Sequence, residues 1–332
     1  MKKIISYIVL FVTSFVSAQE LNSPTWTQYL ADNNFIISPT YAGIGDNLKI
    51  RVNGLTQWVG IKDAPDNQAF YADVRLMNQS GLGLSLYNDK NGNTRQKGFK
   101  LSFAHHIILD YRSKQYLSFG LSYNLNNFRL AIENFTTTEE TPYIDTSITD
   151  DRSFSNHNFD VGILYRWNRF YLSLSGNNIL EKKITPVMGD EPQHLMNLQG
   201  YLGYVYSPNN NVEIEPSLYY QYYQSDRRSL TDLNLKYRKY NRDGDYYWLG
   251  MSYRYLNDQF LNPLNIGPMA GVMKGGFYFA YSYQFTINEL SSFNSGTHSI
   301  TLGINILQGL SNCDCTIGNN YREHKYNRSN RY

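Results

Sequence analysis

Gly276-Phe277-Tyr278-Phe279-Ala280-Tyr281-Ser282-Tyr283-Gln284-Phe285-Thr286 alternates without a break. Successive side chains of a β-strand point to opposite faces, so Phe277, Phe279, Tyr281, Tyr283 and Phe285 share one face and Ala280, Ser282, Gln284 and Thr286 share the other. One face is aromatic and the other small or polar. The same pattern recurs along most of the chain. A segment with the make-up of an export signal precedes it, so the aromatic side is expected to face lipid and the polar side a lumen.

That export signal is read in residues 1–18. Lys2 and Lys3 precede an apolar stretch from Ile4 to Val12 that runs on to Val16, and Val16-Ser17-Ala18 closes it ahead of Gln19. No cysteine follows that would carry a lipid anchor, and the stretch is too short for a spanning helix. Removing Lys2 and Lys3 takes the formal charge from +2 to zero, which leaves no global basic field for nucleic acid. Beyond residue 18 no run of about 18 apolar residues occurs, and a mean hydropathy of −0.48 excludes a helical membrane protein. Any crossing must use strands. The 30 tyrosines and an aromatic content of 15% suit the interfacial girdles of a barrel; a tyrosine-rich soluble β-sandwich is the competing reading.

Period-2 runs bounded by Gly, Pro, Asn and Asp give fourteen strands. They are Leu48 to Trp58, Gln68 to Leu76, Gly81 to Tyr87, Arg95 to Leu109, Gln115 to Leu130, Asn156 to Trp167 and Phe170 to Ile179. Gln193 to Tyr206, Asn211 to Tyr223, Arg228 to Tyr240, Asp245 to Leu256, Leu261 to Lys274, Gly276 to Thr286 and Thr297 to Leu307 complete the set. The fold class is all-β, a transmembrane antiparallel barrel. Connections alternate between short turns and mostly longer loops, among them Val59 to Asn67, Asn88 to Thr94, Ala131 to Ser155 and Leu180 to Pro192. Short turns belong to the periplasm and long loops to the outside. Lys49, Arg51 and Asn53, then Ser118, Gly120 and Ser122, then Asp232, Asn234, Lys236 and Arg238 fall on lumen faces, because charge in hydrocarbon is costly. Pro263 and Pro268 each remove a ladder donor, so a bulge or break is expected there.

The chain divides into the signal at 1–18, a segment at 19–47, the barrel at 48–307 and a polar tail at 308–332. The 19–47 segment carries Trp26, Tyr29, Phe35, Ile36 and Ile37, enough apolar surface to pack in the lumen or at its periplasmic mouth, since about fourteen strands make a barrel too wide for its own side chains to fill. The tail holds Arg322, Lys325, Arg328 and Arg331 and reads as disordered or as a periplasmic contact. Cys313 and Cys315 make no framework and have no histidine pair beside them for zinc; they read as incidental tail thiols that export would tend to oxidise.

Chemistry is nearly absent. No hydrolase, Walker, dinucleotide or zinc-protease motif occurs. His105 and His106 are adjacent on a strand, point to opposite faces and cannot share a metal. No catalytic residue, cofactor or metal site is assigned. Glu139, Glu140, Tyr143, Asp150 and Asp151 lie in the longest outside connection, an acidic loop that is the candidate surface for a partner.

Several stretches are familiar in order: Gln28-Tyr29-Leu30, Asn34 and Phe35 before Ser38-Pro39-Thr40-Tyr41-Ala42-Gly43, then Gln57-Trp58-Val59-Gly60-Ile61, Ala64-Pro65 and Gln68. Gly81-Leu82-Gly83-Leu84-Ser85-Leu86-Tyr87-Asn88-Asp89-Lys90 follows with Gly92, Thr94 and Arg95, and the last hairpin ends in Gly296-Thr297-His298-Ser299-Ile300. The chain resembles the PorP/SprF family, outer-membrane barrels of the Bacteroidetes type IX secretion system. Ser38 and Thr40 stand where that family usually has Asn and Ala, and the cysteine-bearing tail extends past the usual last strand. The resemblance implies a non-enzymatic role in exporting and anchoring a large surface protein, such as a gliding adhesin with a type B C-terminal sorting domain. It also implies contact with secretion or gliding machinery in the periplasm. A diffusion channel or small-ligand transporter is the alternative.

Overall fold

The computed structural model describes residues 33–45, 47–92, 94–130, 152–180, 195–225, 227–241, 244–257, 263–287, 289–310, 313 and 315. The signal reading at 1–18 and the acidic loop residues Glu139, Glu140, Tyr143, Asp150 and Asp151 lie outside them.

The strands follow the alternation of the sequence. The first half comprises β1 (Leu48–Thr56), β2 (Asp66–Met77), β3 (Ser80–Asn91), β4 (Thr94–Asp110), β5 (Gln115–Leu130), β6 (Arg152–Trp167) and β7 (Phe170–Asn177). The second comprises β8 (Asn197–Tyr204), β9 (Tyr206–Asn209), β10 (Val212–Tyr223), β11 (Ser229–Tyr240), β12 (Tyr246–Leu256), β13 (Pro263–Lys274), β14 (Phe277–Thr286) and β15 (Thr297–Ile306). Every pairing is antiparallel; β10 pairs with β11, and β1 pairs with β15, so the sheet closes on itself. Both β8 and β9 pair with β10 and are separated only by Val205, which makes them one interrupted crossing. The result is a closed barrel of fourteen crossings. Closure gives each crossing a partner on both sides, as hydrocarbon requires of a spanning sheet, while residues 152–160 of β6 run beyond β7 and pair only with β5.

The deciding stretch behaves as its period requires. On β14, Phe277, Phe279, Tyr281 and Phe285 are exposed on the outer wall, whereas Tyr278, Ala280, Ser282, Gln284 and Thr286 are buried inside. Leu121, Val161, Ile163, Leu302 and Leu249 are likewise exposed on the outer face. Among the described residues no helix is long and apolar enough to cross a membrane, and the helical content is three short 3-10 turns at Asn34–Ile36, Pro39–Tyr41 and Glu289–Ser292.

One rim carries short turns at 78–79, 111–114, 168–169, 210–211, 241–245 and 275–276. The other carries the connections at 57–65, 92–93, 131–151, 178–196, 224–228, 257–262 and 287–296. These are called the turn rim and the loop rim. The connection expected over Asn88 to Thr94 shrinks to a two-residue turn. Asn88 to Asn91 keep pairing, with Asp89 opposite both Asn67 and Gln96, and Gly92 supplies the positive φ at the tip. Polar composition read as loop there is a hairpin extending beyond the apolar band. Similarly β6 begins at Arg152 rather than Asn156, because residues 152–155 pair with β5. β1 stops at Thr56, and Trp58 (φ 47) and Gly60 (φ +105) form a turn. Pro268 falls where expected: β13 and β14 pair at Ile266↔Phe285 and resume at Met269↔Ser282, so the ladder lapses between them with no change of register.

Candidate functional site

The lumen is where the chain departs from a plain barrel. Inward side chains are buried along the barrel's height: Asn67, His106, Asn158, Asp160, Asp232 and Gln284 all have 0% exposure. An open aqueous pore would leave such groups accessible, so the lumen is packed where they lie.

On one side it is filled by the N-terminal segment. Ser38 caps the Pro39–Tyr41 turn, its hydroxyl accepting from the Thr40 backbone N–H at 3.3 Å, and Pro39 is suited to the first helical position. Phe35, Ile37, Tyr41, Ala42 and Ile44 are buried in one apolar cluster with Ala104, Leu164, Tyr171, Tyr201 and Tyr219 of the barrel wall. The segment's polar backbone groups find specific partners. Gly43 N–H donates to Asp73 Oδ2 at 3.2 Å, and Arg75 donates to the Gly43 carbonyl through both Nε (2.9 Å) and Nη2. His106 is placed between the Ser118 hydroxyl (Nδ1, 2.8 Å) and the Ala42 carbonyl (Nε2, 3.1 Å). A buried carbonyl left without a donor would cost about 1–3 kcal/mol, so these contacts fix the depth of the segment as well as holding it.

Glycines make the room. A Cβ on Gly43 would sit 2.6 Å from the Gly81 Cα, and one on Gly81 would strike the Ala42 carbonyl. A Cβ on Gly83 would enter the Phe35 ring, one on Gly120 the backbone of Pro39 and Thr40, and one on Gly162 the Ser38 hydroxyl. Gly43 also has φ +70, where a side chain is strained.

The singled-out residues thus separate into groups. Phe35, Pro39, Tyr41, Ala42, Gly43, Gly81 and Gly83 meet in the lumen. Gln28 and Tyr29 lie outside the described residues. Gln57, Trp58, Gly60, Asn88, Asp89, Lys90 and Arg95 are instead at or near the loop rim. There Gln57 N–H donates to the Pro65 carbonyl at 2.9 Å, Lys90 pairs with Asp63 at 3.2 Å, and Asp89 accepts from Asn67 at 3.4 Å. Asn88 pairs with Gln68 across the sheet, and Arg95 is exposed opposite Lys90. The 57–65 connection is joined to the last hairpin, Val59 N–H donating to the Gly296 carbonyl at 3.0 Å and Ser295 N–H to the Val59 carbonyl at 2.7 Å.

Residues that the sequence did not single out hold much of this together. Asp73, Arg75 and Arg166 are lumen-facing charges, and His106 was indistinguishable from any strand histidine. Asn158 and Asp160 draw the chain after β7 inward: Asn158 brackets Leu180 by bonds of 2.8 and 3.1 Å, and Asp160 accepts from Asn178 N–H at 3.0 Å while pairing with Lys100 at 2.5 Å. Cys313 and Cys315, read as incidental thiols, are joined to each other; their Cα atoms are 5.2 Å apart, within the span of a disulfide. Among the described residues no group of His, Cys, Asp or Glu could hold a metal ion.

The closed barrel, its apolar outer wall and its filled lumen define an outer-membrane β-barrel. Residues 18–304 match the family described as type IX secretion system membrane protein PorP/SprF, and the chain belongs to that family. No individually curated protein matches it. Among solved structures, the CymD monoaromatic hydrocarbon channel aligns at a TM-score of 0.50 and 10% identity, over 82% of this chain and 91% of the channel. The Ralstonia pickettii toluene transporter TbuX aligns at 0.48 and 7%, over 82% and 92%. A Pseudomonas aeruginosa FadL homologue aligns at 0.44 and 10%, over 78% and 88%. At 10% identity the likeness to CymD is one of fold alone.

Proposed function

We propose that this protein is a non-enzymatic holder in type IX secretion: a closed barrel that assists export of one large surface protein and retains it at the cell surface through that protein's C-terminal sorting domain. The observation that carries the reading is the filled lumen, with the N-terminal segment anchored by Asp73, Arg75 and His106, in a chain of the PorP/SprF family. A closed barrel is a poor conduit and a good rigid support for the connections on its rim, where binding residues are commonly carried. The loop rim faces outward in this reading and presents the 131–151 connection to the partner. The turn rim faces the periplasm and the secretion or gliding machinery.

Two measurements test this. Deleting the gene should remove one sorting-domain protein from the cell surface and leave the others, and the purified protein should give no steady conductance in planar bilayers. Stable open-channel conductance together with an unchanged surface proteome would overturn the reading in favour of a diffusion channel. Orientation is tested separately: cysteines at Lys62, Gln224 and Ser291, all exposed on the loop rim, should label on intact cells, whereas those at Asn168 and Asn209 should not.

A further inference from the structure

On the outer face of β1 to β6 an apolar groove of about 510 Å³ opens toward lipid, lined among others by Leu48, Val74, Leu84, Leu101, Phe103 and Leu121. Leu101, Phe103 and Leu121 are exposed on that face, so the groove belongs to the membrane side of the wall and not to the lumen. Ala72 makes part of its floor, a methyl between the branched chains of Ile50 and Leu84 that stand opposite it. A volume of this size suits one small ligand or chain.

Toward the loop rim the groove ends at an aromatic belt. Tyr123 lies between Phe99, at 6.0 Å, and Phe159, at 5.7 Å, and its hydroxyl meets His157 Nδ1 at 2.5 Å. Rings with an apolar body and a polar tip settle at the boundary of hydrocarbon and headgroups. Lys97 comes two residues beyond Phe99 toward that rim, then Arg95, both exposed on the same face. Across the sheet Arg95 stands directly opposite Lys90 and Arg129, a row of like charges that an anion would relieve. Among the described residues the acids beside this row are Asp63, which pairs with Lys90 at 3.2 Å, and Asp66, opposite Lys90 across the ladder. Both are at the β2 end. β14 and β15 supply the contrast: they carry the same tyrosine–histidine contact, Tyr281 hydroxyl to His298 Nδ1 at 2.7 Å, with no lysine or arginine on either strand.

We propose that this face binds a single phosphate-bearing lipid of the outer leaflet, its phosphate held by Arg95 and Lys97 and one acyl chain lying in the groove below the Tyr123 belt. The order apolar, aromatic, cationic along the wall is the order chain, interface, phosphate along such a lipid. Arg95 and Lys97 are two residues apart on one face, about 7 Å along the strand, so both reach one phosphate group. The same strands carry Gly81, Gly83 and Gly120 on their lumen side, against the N-terminal segment, so the lipid seats behind the wall that hosts it. The site requires that the loop rim face outward, and it is independent of any partner the barrel holds.

The test is native mass spectrometry of the full mature protein in neutral detergent, titrated with phosphatidic acid, with phosphatidylcholine of the same chains, and with inorganic phosphate as competitor. The parent should hold one phosphatidic acid and prefer it to phosphatidylcholine, a result read without any substitution. Arg95→Gln with Lys97→Gln should weaken that binding on the order of tenfold. Ala72→Phe, which fills the groove, should weaken it severalfold. Lys239→Gln with Lys274→Gln, which removes the same charge from exposed positions near the turn rim, should leave it unchanged. Heat-modifiable migration checks that each barrel is folded. Equal binding by the parent and the Arg95, Lys97 variant would overturn the proposal, as would an equal loss in the turn-rim variant, which would mean charge without a site. Displacement of the lipid by inorganic phosphate at equal concentration would make it a site for a free anion, and full binding by Ala72→Phe would remove the acyl chain from the groove; either result overturns the proposal.

Discussion

The wall made by β2 to β6 and the wall made by β10 to β14 fill the same lumen by opposite means. The first is pared back: Gly81, Gly83, Gly120 and Gly162 give up their side chains, and the backbone of the N-terminal segment lies where those side chains would be. The second fills its space from its own residues. Trp248, Tyr240, Tyr246, Met269, Met273 and Tyr278 form a buried cluster, with Gly271 yielding to the Trp248 ring. Charges on that wall are paired within the barrel, Arg238 with Glu213 at 3.0 Å, Lys236 with Glu215 at 3.1 Å and Arg254 with Asp232 at 2.5 Å. A buried ion pair is weak evidence for stability, but removing one partner would strand a charge, so this wall has little freedom to reorganise. The difference teaches where adjustability lies: one wall is integral to the barrel, and the other hosts a separable piece.

The largest expected effect tests the integral wall. Trp248 has 1% exposure, and Trp248→Ala should cost about 3–5 kcal/mol through lost burial and the cavity left behind. Thermal unfolding in detergent should fall while bilayer conductance stays absent; a leaky but equally stable barrel would break the distinction. Next come the outer faces, which should be alike, because lipid meets both walls in the same way. Phe279→Arg on β14 and Leu121→Arg on β5 should each cost about 2–4 kcal/mol near mid-membrane and reduce the folded band on cold gels. Unequal costs at Phe279 and Leu121 would place the asymmetry outside the lumen. The third effect is smaller in energy and larger in function. Gly81→Val drives a side chain into the Ala42 and Gly43 backbone at a cost of about 1–3 kcal/mol, which displacing the segment relieves. A folded barrel that conducts is the expected result; one that unfolds instead would show that the segment is as integral as Trp248.

Much of the first wall's outline was legible and little of its logic. Period-2 alternation gave the strands, since lipid outside and a polar interior make every slip of register costly. Where the chain was mostly polar, at Asn88 to Asn91 and in Arg152-Ser153-Phe154-Ser155, the strands ran on unseen. Composition separates apolar from polar, and a hairpin projecting beyond the membrane is mostly polar. Gly81 and Gly83 stood out in the sequence, but their need appears only when Phe35 and Gly43 are set against them, a contact across about forty residues of chain that no local pattern encodes. His106 illustrates the same limit. Adjacency correctly excluded a shared metal with His105, yet nothing local marks the one whose ring meets the Ala42 carbonyl. Oxidation of Cys313 and Cys315 was expected of an exported chain, but two thiols in a polar tail carry no sign that they join each other or that Cys315 is buried.

The smallest effect concerns Ser38, which caps the Pro39–Tyr41 turn. The Ser38 hydroxyl is buried, accepts from the Thr40 N–H, and lies 2.9 Å from the Thr40 hydroxyl. Ser38→Ala removes the cap of the Pro39–Tyr41 turn and leaves the Thr40 N–H in a dry environment without its acceptor. By the usual cost of a lost N-cap, that is about 1 kcal/mol. Asn caps a helical turn as well as Ser does. Ser38→Asn should therefore hold the turn within about 0.5 kcal/mol of the parent, while Ser38→Ala loosens it. Amide exchange at Thr40 and Tyr41 reads the difference directly, with strand amides of β5 as the internal standard. Equal loosening by Ala and Asn would mean that the hydroxyl serves the Thr40 side chain rather than the turn. No change with Ala would mean that the segment is held by Asp73, Arg75 and His106 alone, so that the hosted wall grips its guest at one end only.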